Sequence, residues 1–300
     1  MLAIIKKSLI VSVWLFTATI AFGQPLSYTQ YMNNLTPINA NYSLFNAVGG
    51  SVNSMVRKQW AGVPGSPTNY MVNADMPIPS VNGSAGIILR NDVFAIEHQT
   101  SFNAFFAKAI QLNDKQNLAV SMSAGLRNYV ANYSSVDASD PVFKNNISET
   151  KPNIGFGVMY YTNIYYVGLS VPEISIRSLG TASQQDETNF RNNYYLTGGY
   201  QDDLNSSFKI KYAALIGYSR GSTVIADISS LVTLKNIVGL GLNYRTGNEA
   251  AVIVSVNYNE FAFGYSYQFG LTNSNIGGLN NATHEFTLAY RFGKVDKQLW

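Results

Sequence analysis

Between positions 52 and 292, apolar and polar residues alternate in about fourteen segments, each roughly ten residues long and bounded by turn residues. The clearest segment is 261–269, where five aromatic residues occupy every second position and small or polar residues fill the others. A period of two places the two sets on opposite faces of a β-strand. We therefore predict an all-β protein. The predicted strands lie near 52–60, 68–76, 82–90, 100–110, 117–130, 153–161, 164–171, 193–201, 207–218, 223–232, 236–245, 250–258, 261–269 and 283–292.

The two faces of these strands distinguish between two architectures. In a soluble sandwich, the apolar face packs against a second sheet and the polar face meets water. In an outer-membrane barrel, the apolar face contacts lipid and the polar face lines a lumen. Tyrosines at strand ends, and a polar face of Gly, Ser, Asn, Arg and Lys, favour the barrel. We predict a single transmembrane antiparallel β-barrel of about 14 strands.

The connections between the predicted strands indicate how the barrel is oriented. Two tight turns, at 162–163 and 259–260, fall at one end, and long connections near 131–152, 172–192 and 270–282 fall at the other. Short turns on the periplasmic side and long loops outside are typical of outer-membrane barrels. An even strand number also leaves both ends of the barrel sheet on the periplasmic side.

The first 50 residues are predicted to precede the barrel. Residues 1–23 combine two lysines, an apolar stretch and a small-residue site before Gln24, which indicates a cleaved signal peptide; a retained anchor is the alternative. Residues 24–50 lack alternation and are rich in Asn, Tyr and Pro. We predict a leader that lies in the periplasm or folds into the lumen as a plug, with a flexible leader as the alternative. The barrel then spans 51–293, and 294–300 form a short tail.

The amino-acid composition argues against several classes of protein. Only 12% of residues are charged and 13% are aromatic, and the formal net charge is +3. The charged fraction is about half that of a typical soluble domain. The absence of cysteine excludes a disulfide scaffold and a thiolate metal site. Removing the two lysines of the signal peptide leaves a charge near +1, so nothing indicates nucleic-acid binding.

The few residues that could support catalysis do not form a convincing site. We expect His98 in an outer loop and His284 at the start of the last strand, and neither has a serine two residues later, as barrel phospholipases do. Glycine pairs at 155–157 and 239–241 lack the strand-turn-helix context of a dinucleotide site. The acidic loop 137–140 lacks the glycine and glutamate of a calcium loop. We predict no catalytic, cofactor-binding or metal-binding residues.

Charged residues on the predicted lumen face carry both signs. This mixture predicts ion pairs across the lumen rather than a selective ring of one sign. We expect the lumen to be at least partly filled by these pairs and by residues 24–50. The predicted lumen-facing charges are Arg57, Asp75, Lys211, Asp227, Arg245, Glu285 and Arg291.

The last predicted strand ends in Tyr290-Arg291-Phe292. An amphipathic final strand that ends on an aromatic residue resembles the signal that the barrel assembly machinery reads. Tyr290 and Phe292 are therefore predicted to serve barrel assembly, although the tail 294–300 follows them.

Several motifs together resemble the PorP/SprF family of Bacteroidetes outer-membrane proteins, which serve type IX secretion and gliding. The leader sequence YTQYM at 28–32, followed by TPINANY at 36–42, resembles the opening of that family, with Asn41 where the family usually has Pro or a small residue. RKQWAG at 57–62, followed by PGSPT at 64–68, resembles a second family segment. The residues that carry the two motifs are Tyr31, Met32, Asn39, Asn41, Tyr42, Arg57, Gln59, Trp60, Gly62, Gly65 and Pro67.

The resemblance implies a role without catalysis. Members of the family help to export particular adhesins or gliding proteins, or hold them at the surface. The partners implied by the resemblance are the C-terminal domain of a secreted cargo protein and periplasmic ring components of the secretion system. The barrel and its last strand add outer-membrane lipid and the barrel assembly machinery as expected partners. A channel for hydrophobic solutes and a general porin remain the alternatives.

Overall fold

In the computed structural model, the chain is described over residues 28–45, 49–135, 146–176, 190–271 and 282–293. Fourteen strands make up most of these residues. They are β1 Gly49–Lys58, β2 Thr68–Ile78, β3 Gly83–Phe94, β4 Glu97–Asn113, β5 Gln116–Ala131, β6 Ile147–Tyr161, β7 Tyr165–Ser175, β8 Asn193–Asp203, β9 Phe208–Ser219, β10 Ile225–Leu234, β11 Val238–Arg245, β12 Glu249–Tyr258, β13 Phe261–Gly270 and β14 Thr283–Gly293. Short 3-10 helices lie at Tyr31–Asn33, Ala40–Phe45, Pro79–Val81 and Tyr133–Ser135.

The strands form one closed antiparallel barrel. Each strand pairs with its neighbours in sequence, and β1 pairs with β14 along ten residues, from Gly49 opposite Gly293 to Lys58 opposite His284. Closure leaves no strand edge unpaired, as a sheet in a lipid bilayer requires. The predicted 14-strand barrel is confirmed.

The strands β4 to β7 are longer than the alternation of apolar and polar residues predicts. β4, β5 and β6 have 17, 16 and 15 residues. The expectation that His98 lies in a loop is wrong, because β4 begins at Glu97 and His98 is paired with Val93. β7 likewise continues to Ser175, into the predicted loop 172–192.

Burial alternates along each strand as the two-faced pattern requires. In β11, Val238, Leu240 and Leu242 are 47–61% exposed, whereas Asn243 and Arg245 are only 2–3% exposed. In a soluble domain, Asn and Arg are seldom buried and apolar side chains are seldom the exposed ones. The reversed pattern in β11 shows that the polar face of the strand points into the barrel. The outward face is apolar and suits contact with lipid.

The two ends of the barrel differ in their connections. At one end, the connections are 79–82, 114–115, 162–164, 204–207, 235–237 and 259–260, and none exceeds four residues. At the other end, they include 132–146, 176–192 and 271–282. Short turns mark the periplasmic end of an outer-membrane barrel. We call the two ends the periplasmic end and the outer end.

The predicted signal peptide and C-terminal tail lie outside the described residues, as do parts of the leader and of the three long outer connections. Among the described residues, no helix is long and apolar enough to span a membrane.

Candidate functional site

Residues 28–45, which we call the lumenal segment, lie inside the barrel. The segment consists of turns and two short 3-10 helices, because its sequence offers no alternation for a strand. Its turns are closed by its own backbone, with Ile38 N–H donating to Leu35 O at 2.9 Å and Tyr42 N–H donating to Asn39 O at 3.0 Å. The Asn39 side-chain oxygen also accepts from the Asn41 backbone N–H at 3.2 Å and from Asn41 Nδ2 at 3.0 Å.

Hydrogen bonds attach the lumenal segment to several sides of the barrel wall. Thr29 and Gln30 donate their backbone N–H groups to the two carboxylate oxygens of Glu285 in β14, at 2.9 and 2.8 Å. Tyr31 Oη donates to the backbone oxygen of Ala213 in β9 at 2.9 Å. Ser170 Oγ in β7 donates to the Ile38 backbone oxygen at 2.7 Å. Contacts on opposite sides of the wall hold the segment across the lumen.

An apolar cluster forms around the same segment. Tyr42 and Phe45 pack edge to face with ring centroids 4.8 Å apart, and Phe45 packs against Tyr161 of β6 at 5.1 Å. The other members from the segment and the wall include Tyr31, Met32, Leu35, Ile38, Met55, Met71, Met159, Tyr166, Leu215 and Ile253. Burial of these side chains forms a hydrophobic cluster within a lumen whose wall is otherwise rich in polar residues.

Burial also affects the segment's tyrosines. Removal from water raises the pKa of the Tyr31 and Tyr42 hydroxyls above the ordinary tyrosine value. Both groups therefore stay neutral and act as donors, Tyr31 to Ala213 and Tyr42 to the Met32 backbone oxygen at 3.2 Å.

Glycines in the wall provide space for the segment. A Cβ on Gly157 would lie 2.7 Å from Asn39 Oδ1, and one on Gly168 would lie 2.7 Å from Asn39 Nδ2. A Cβ on Gly264 would overlap Gln30 Oε1. The sequence shows these glycines as small lumen-facing positions, and only the structure identifies what lies against them.

Four of the predicted lumen charges form two pairs across adjacent strands. Arg245 Nε lies 2.9 Å from Asp227 Oδ1, and the two residues face each other in the β10–β11 register. Arg57 and Glu285 are likewise opposite each other in β1 and β14, with Nε and Oε2 3.7 Å apart. All four side chains are buried.

The remaining predicted charges have other surroundings. Asp75 is buried and accepts a hydrogen bond from Ser51 Oγ at 2.8 Å. Lys211 and Arg291 are half-buried and lie near the periplasmic end of β9 and β14. The structure therefore does not bring the seven predicted charges together as one network.

Sequence reasoning missed a third charge cluster. Arg90 Nη2 lies 3.0 Å from Glu173 Oε1, and Arg127 Nε lies 3.8 Å from Glu173 Oε2. Asn103 Nδ2 donates to the same carboxylate at 2.7 Å. Glu173 was missed because it fell in a predicted loop. Arg127 could have been found, since it alternates in β5 with Ser123 on the lumen face.

The first-loop motif forms a compact turn after β1. Gln59 N–H donates to the Pro67 backbone oxygen at 2.9 Å, and Arg57 Nη1 donates to Gln59 Oε1 at 3.2 Å. Trp60, Gly62 and Gly65 adopt positive φ angles of 49°, 95° and 72°. The two glycines adopt this left-handed backbone without strain.

Tyr290 and Phe292 lie on the outward face of β14 at the periplasmic end. Tyr290 packs against Phe261 of β13 with ring centroids 5.0 Å apart, and both predicted assembly residues are about 40% exposed. Aromatic side chains in this position are typical of the membrane interface of outer-membrane barrels.

Neither histidine lies in the lumen. His98 and His284 alternate with the lumen-facing Ser101 and Glu285, which places both outside, and His284 Nδ1 lies 2.9 Å from Tyr265 Oη. Within the described ranges, no group of three or more His, Asp or Glu side chains is arranged to hold a metal ion.

The closed barrel, its apolar outward face and its polar lumen define an outer-membrane β-barrel protein. The family model for the type IX secretion system membrane protein PorP/SprF matches residues 20–290, and the chain belongs to this family. The resemblance predicted from the motifs is confirmed.

A solved outer-membrane channel shows the same type of fold at low sequence identity. A ΔS2S3 mutant of the monoaromatic hydrocarbon channel TodX is 8% identical, with a TM-score of 0.51, and covers 87% of this chain and 94% of that chain. Omp33 of Acinetobacter baumannii is 7% identical, with a TM-score of 0.48 and coverage of 82% and 98%. The likeness to TodX concerns the fold alone. Comparison with curated proteins gave no match.

Proposed function

We propose that this protein is a non-catalytic component of type IX secretion that helps to export specific adhesin-like cargo or anchors it at the cell surface. Family membership supports a role in the secretion system. The observation that carries the finer proposal is the lumenal segment, which contacts β7, β9 and β14 from inside the barrel. These contacts argue against a free path for a polypeptide cargo through the lumen. An accessory or anchoring role therefore fits better than a role as the conduit.

Recognition is proposed to take place at the two ends of the barrel. The long outer connections 132–146 and 176–192 provide surface for the C-terminal domain of a cargo protein, since loops on a rigid scaffold commonly carry recognition. The short turns at the periplasmic end are proposed to face the periplasmic ring components. The outward face contacts outer-membrane lipid, and β14 serves the barrel assembly machinery. We also propose that the signal peptide is removed before Gln24, which N-terminal sequencing of the mature protein tests.

The alternative functions are a channel for hydrophobic solutes and a general porin. A hydrophobic channel requires a continuous apolar path, whereas this lumen contains the buried pairs Arg245–Asp227 and Arg90–Glu173. An open porin requires a continuous aqueous path, and the contacts of the lumenal segment with β7, β9 and β14 argue against one. Planar-bilayer recordings of the full chain test both alternatives, and stable open-channel conductance would favour a porin.

Deletion of the gene tests the secretion role. We expect one or a few adhesin-like proteins to lose surface exposure and to accumulate in the periplasm, measured by protease shaving of intact cells followed by mass spectrometry. Complementation with the full chain restores display. Outer-membrane proteins that do not use this secretion system are the matched control. Unchanged display of every cargo in the deletion strain would contradict the proposal.

A further inference from the structure

A cavity of about 470 Å³ lies inside the barrel near its periplasmic end. The lumenal segment limits it on the outer side through Gln30, Asn33 and Asn34. The turn residues Asn236 and Asn259, between β10 and β11 and between β12 and β13, lie at its periplasmic edge. Among the described residues, the cavity therefore lies on the periplasmic side of the lumenal segment and is bordered by the turns at that end.

Three cations line this cavity. Lys209 and Lys211 lie two residues apart on β9, with Cα atoms about 7 Å apart. Arg291 lies on β14, with β10 to β13 between it and β9. The same surface is rich in amides and hydroxyls, including Asn53 and Thr287.

The carboxylates near the cavity do not balance these cations. Glu285 lines it, but both its oxygens accept hydrogen bonds from the backbone of the lumenal segment, and its charge faces Arg57. Asp203 lies 3.8 Å from Lys209 and is 74% exposed, so water screens this pair strongly. Asp75 lies level with Arg291 on the far side of β1, where Ser51 stands between them; it accepts a hydrogen bond from Ser51 Oγ at 2.8 Å and forms no ion pair with Arg291. Among the described residues, Lys211 and Arg291 have no ion-pair partner.

Half-buried cations without partners favour an anionic ligand, since a bound anion supplies the missing charge and hydrogen bonds. We propose that the cavity binds an extended acidic peptide segment of a periplasmic partner. Cations on two separated walls, spaced along one of them, match several carboxylates on one chain better than a single phosphate. The side-chain amides around them can hydrogen-bond the peptide backbone. The inference rests on the proposed function only in placing the partner in the periplasm.

The test uses the full chain purified in a non-ionic detergent. The probe is a fluorescein-labelled octapeptide of alternating Glu and Ser, and its matched control replaces each Glu with Gln. Fluorescence anisotropy is expected to show binding of the Glu peptide but not of the Gln peptide. Added NaCl is expected to weaken this binding, because salt screens the attraction between charges. The variant with Lys211→Gln and Arg291→Gln is expected to bind at least about tenfold more weakly.

Two matched variants keep the result interpretable. Lys108→Gln removes an exposed cation from the outside of the barrel and should leave binding unchanged. Lys211→Arg keeps the charge and should retain binding. Heat-modifiable migration on gels confirms that each variant is folded. Absence of peptide binding, equal binding by the double variant, or full displacement of the peptide by millimolar inorganic phosphate would overturn the proposal. These outcomes leave the secretion role to be decided by cargo display in cells.

Discussion

Charged side chains are paired in the outer half of the lumen, whereas in the periplasmic half two cations have no ion-pair partner among the described residues. In the outer half, Arg57, Arg90, Arg127 and Arg245 each lie within 4 Å of a buried carboxylate. In the periplasmic half, Lys211 and Arg291 face a cavity instead. Burying a charge is costly unless a partner compensates it. The paired arginines of the outer half therefore stabilise the fold. The cations of the periplasmic half, which have no ion pair among the described residues, are the groups proposed to bind a ligand.

The largest expected effect follows from breaking a pair in the outer half. Glu285→Ala leaves Arg57 and the backbone N–H groups of Thr29 and Gln30 without their buried acceptor. We expect the free energy of unfolding to fall by about 3–5 kcal/mol. Urea unfolding in detergent micelles, followed by the heat-modifiable gel shift, measures it. Glu260→Ala, in an exposed turn, is the control and should change little. Similar stability of both variants would refute a structural role for the pair.

A bulky residue against the lumenal segment should have the next largest effect. Gly168→Val places methyl groups where Asn39 Nδ2 lies, only 2.7 Å from the ideal Cβ position. We expect a loss of about 1–3 kcal/mol, together with increased conductance in planar bilayers as the segment is displaced. Gly198→Val is the control, since the nearest atom to its Cβ is Tyr166 O at 3.6 Å. Wild-type conductance and stability in Gly168→Val would mean that the segment is not held there.

A smaller effect is expected from one buried hydrogen bond between segment and wall. Tyr31→Phe removes the donor to Ala213 O and keeps the ring in the core. We expect a loss of about 0.5–1.5 kcal/mol in urea unfolding. Tyr258→Phe, on a tyrosine that is 68% exposed, serves as the control. Equal effects of the two changes would show that the bond contributes nothing to stability.

The smallest effect is expected when an unpaired cation of the periplasmic half is removed. Lys211→Gln removes a cation that has no ion pair among the described residues and is expected to change unfolding by no more than about 0.5 kcal/mol. Arg57→Gln, which leaves Glu285 uncompensated in the outer half, should be clearly destabilising in the same assay. A large loss of stability in Lys211→Gln would show that the charge of Lys211 also stabilises the fold.

Much of the fold could be predicted from local sequence. Strands such as 261–269 are recognisable because a barrel strand must present alternate residues to lipid and lumen. The ends of β4 and β7 could not be predicted in the same way. There, polar residues such as Glu97 and Glu173 look like loop residues, yet they lie in strands whose lumen side accepts charge.

The lumen was predictable only in part. Alternation assigned Arg57 and Asp227 to the inner face, but their partners depend on which strands become neighbours and in which register. Arg90 of β3 and Arg127 of β5 converge on Glu173 of β7. Such a contact depends on the closure and curvature of the barrel, which no local pattern encodes.

The sequence by itself determined the fourteen two-faced strands, the barrel they imply and the family to which the chain belongs, because these depend on local alternation and short motifs. Only the tertiary structure decided where the lumenal segment lies, which charges are paired and which face the cavity. Several of those features join residues far apart in the chain, such as Thr29 and Glu285. Their contacts exist only after closure of the barrel has fixed the distances between opposite walls.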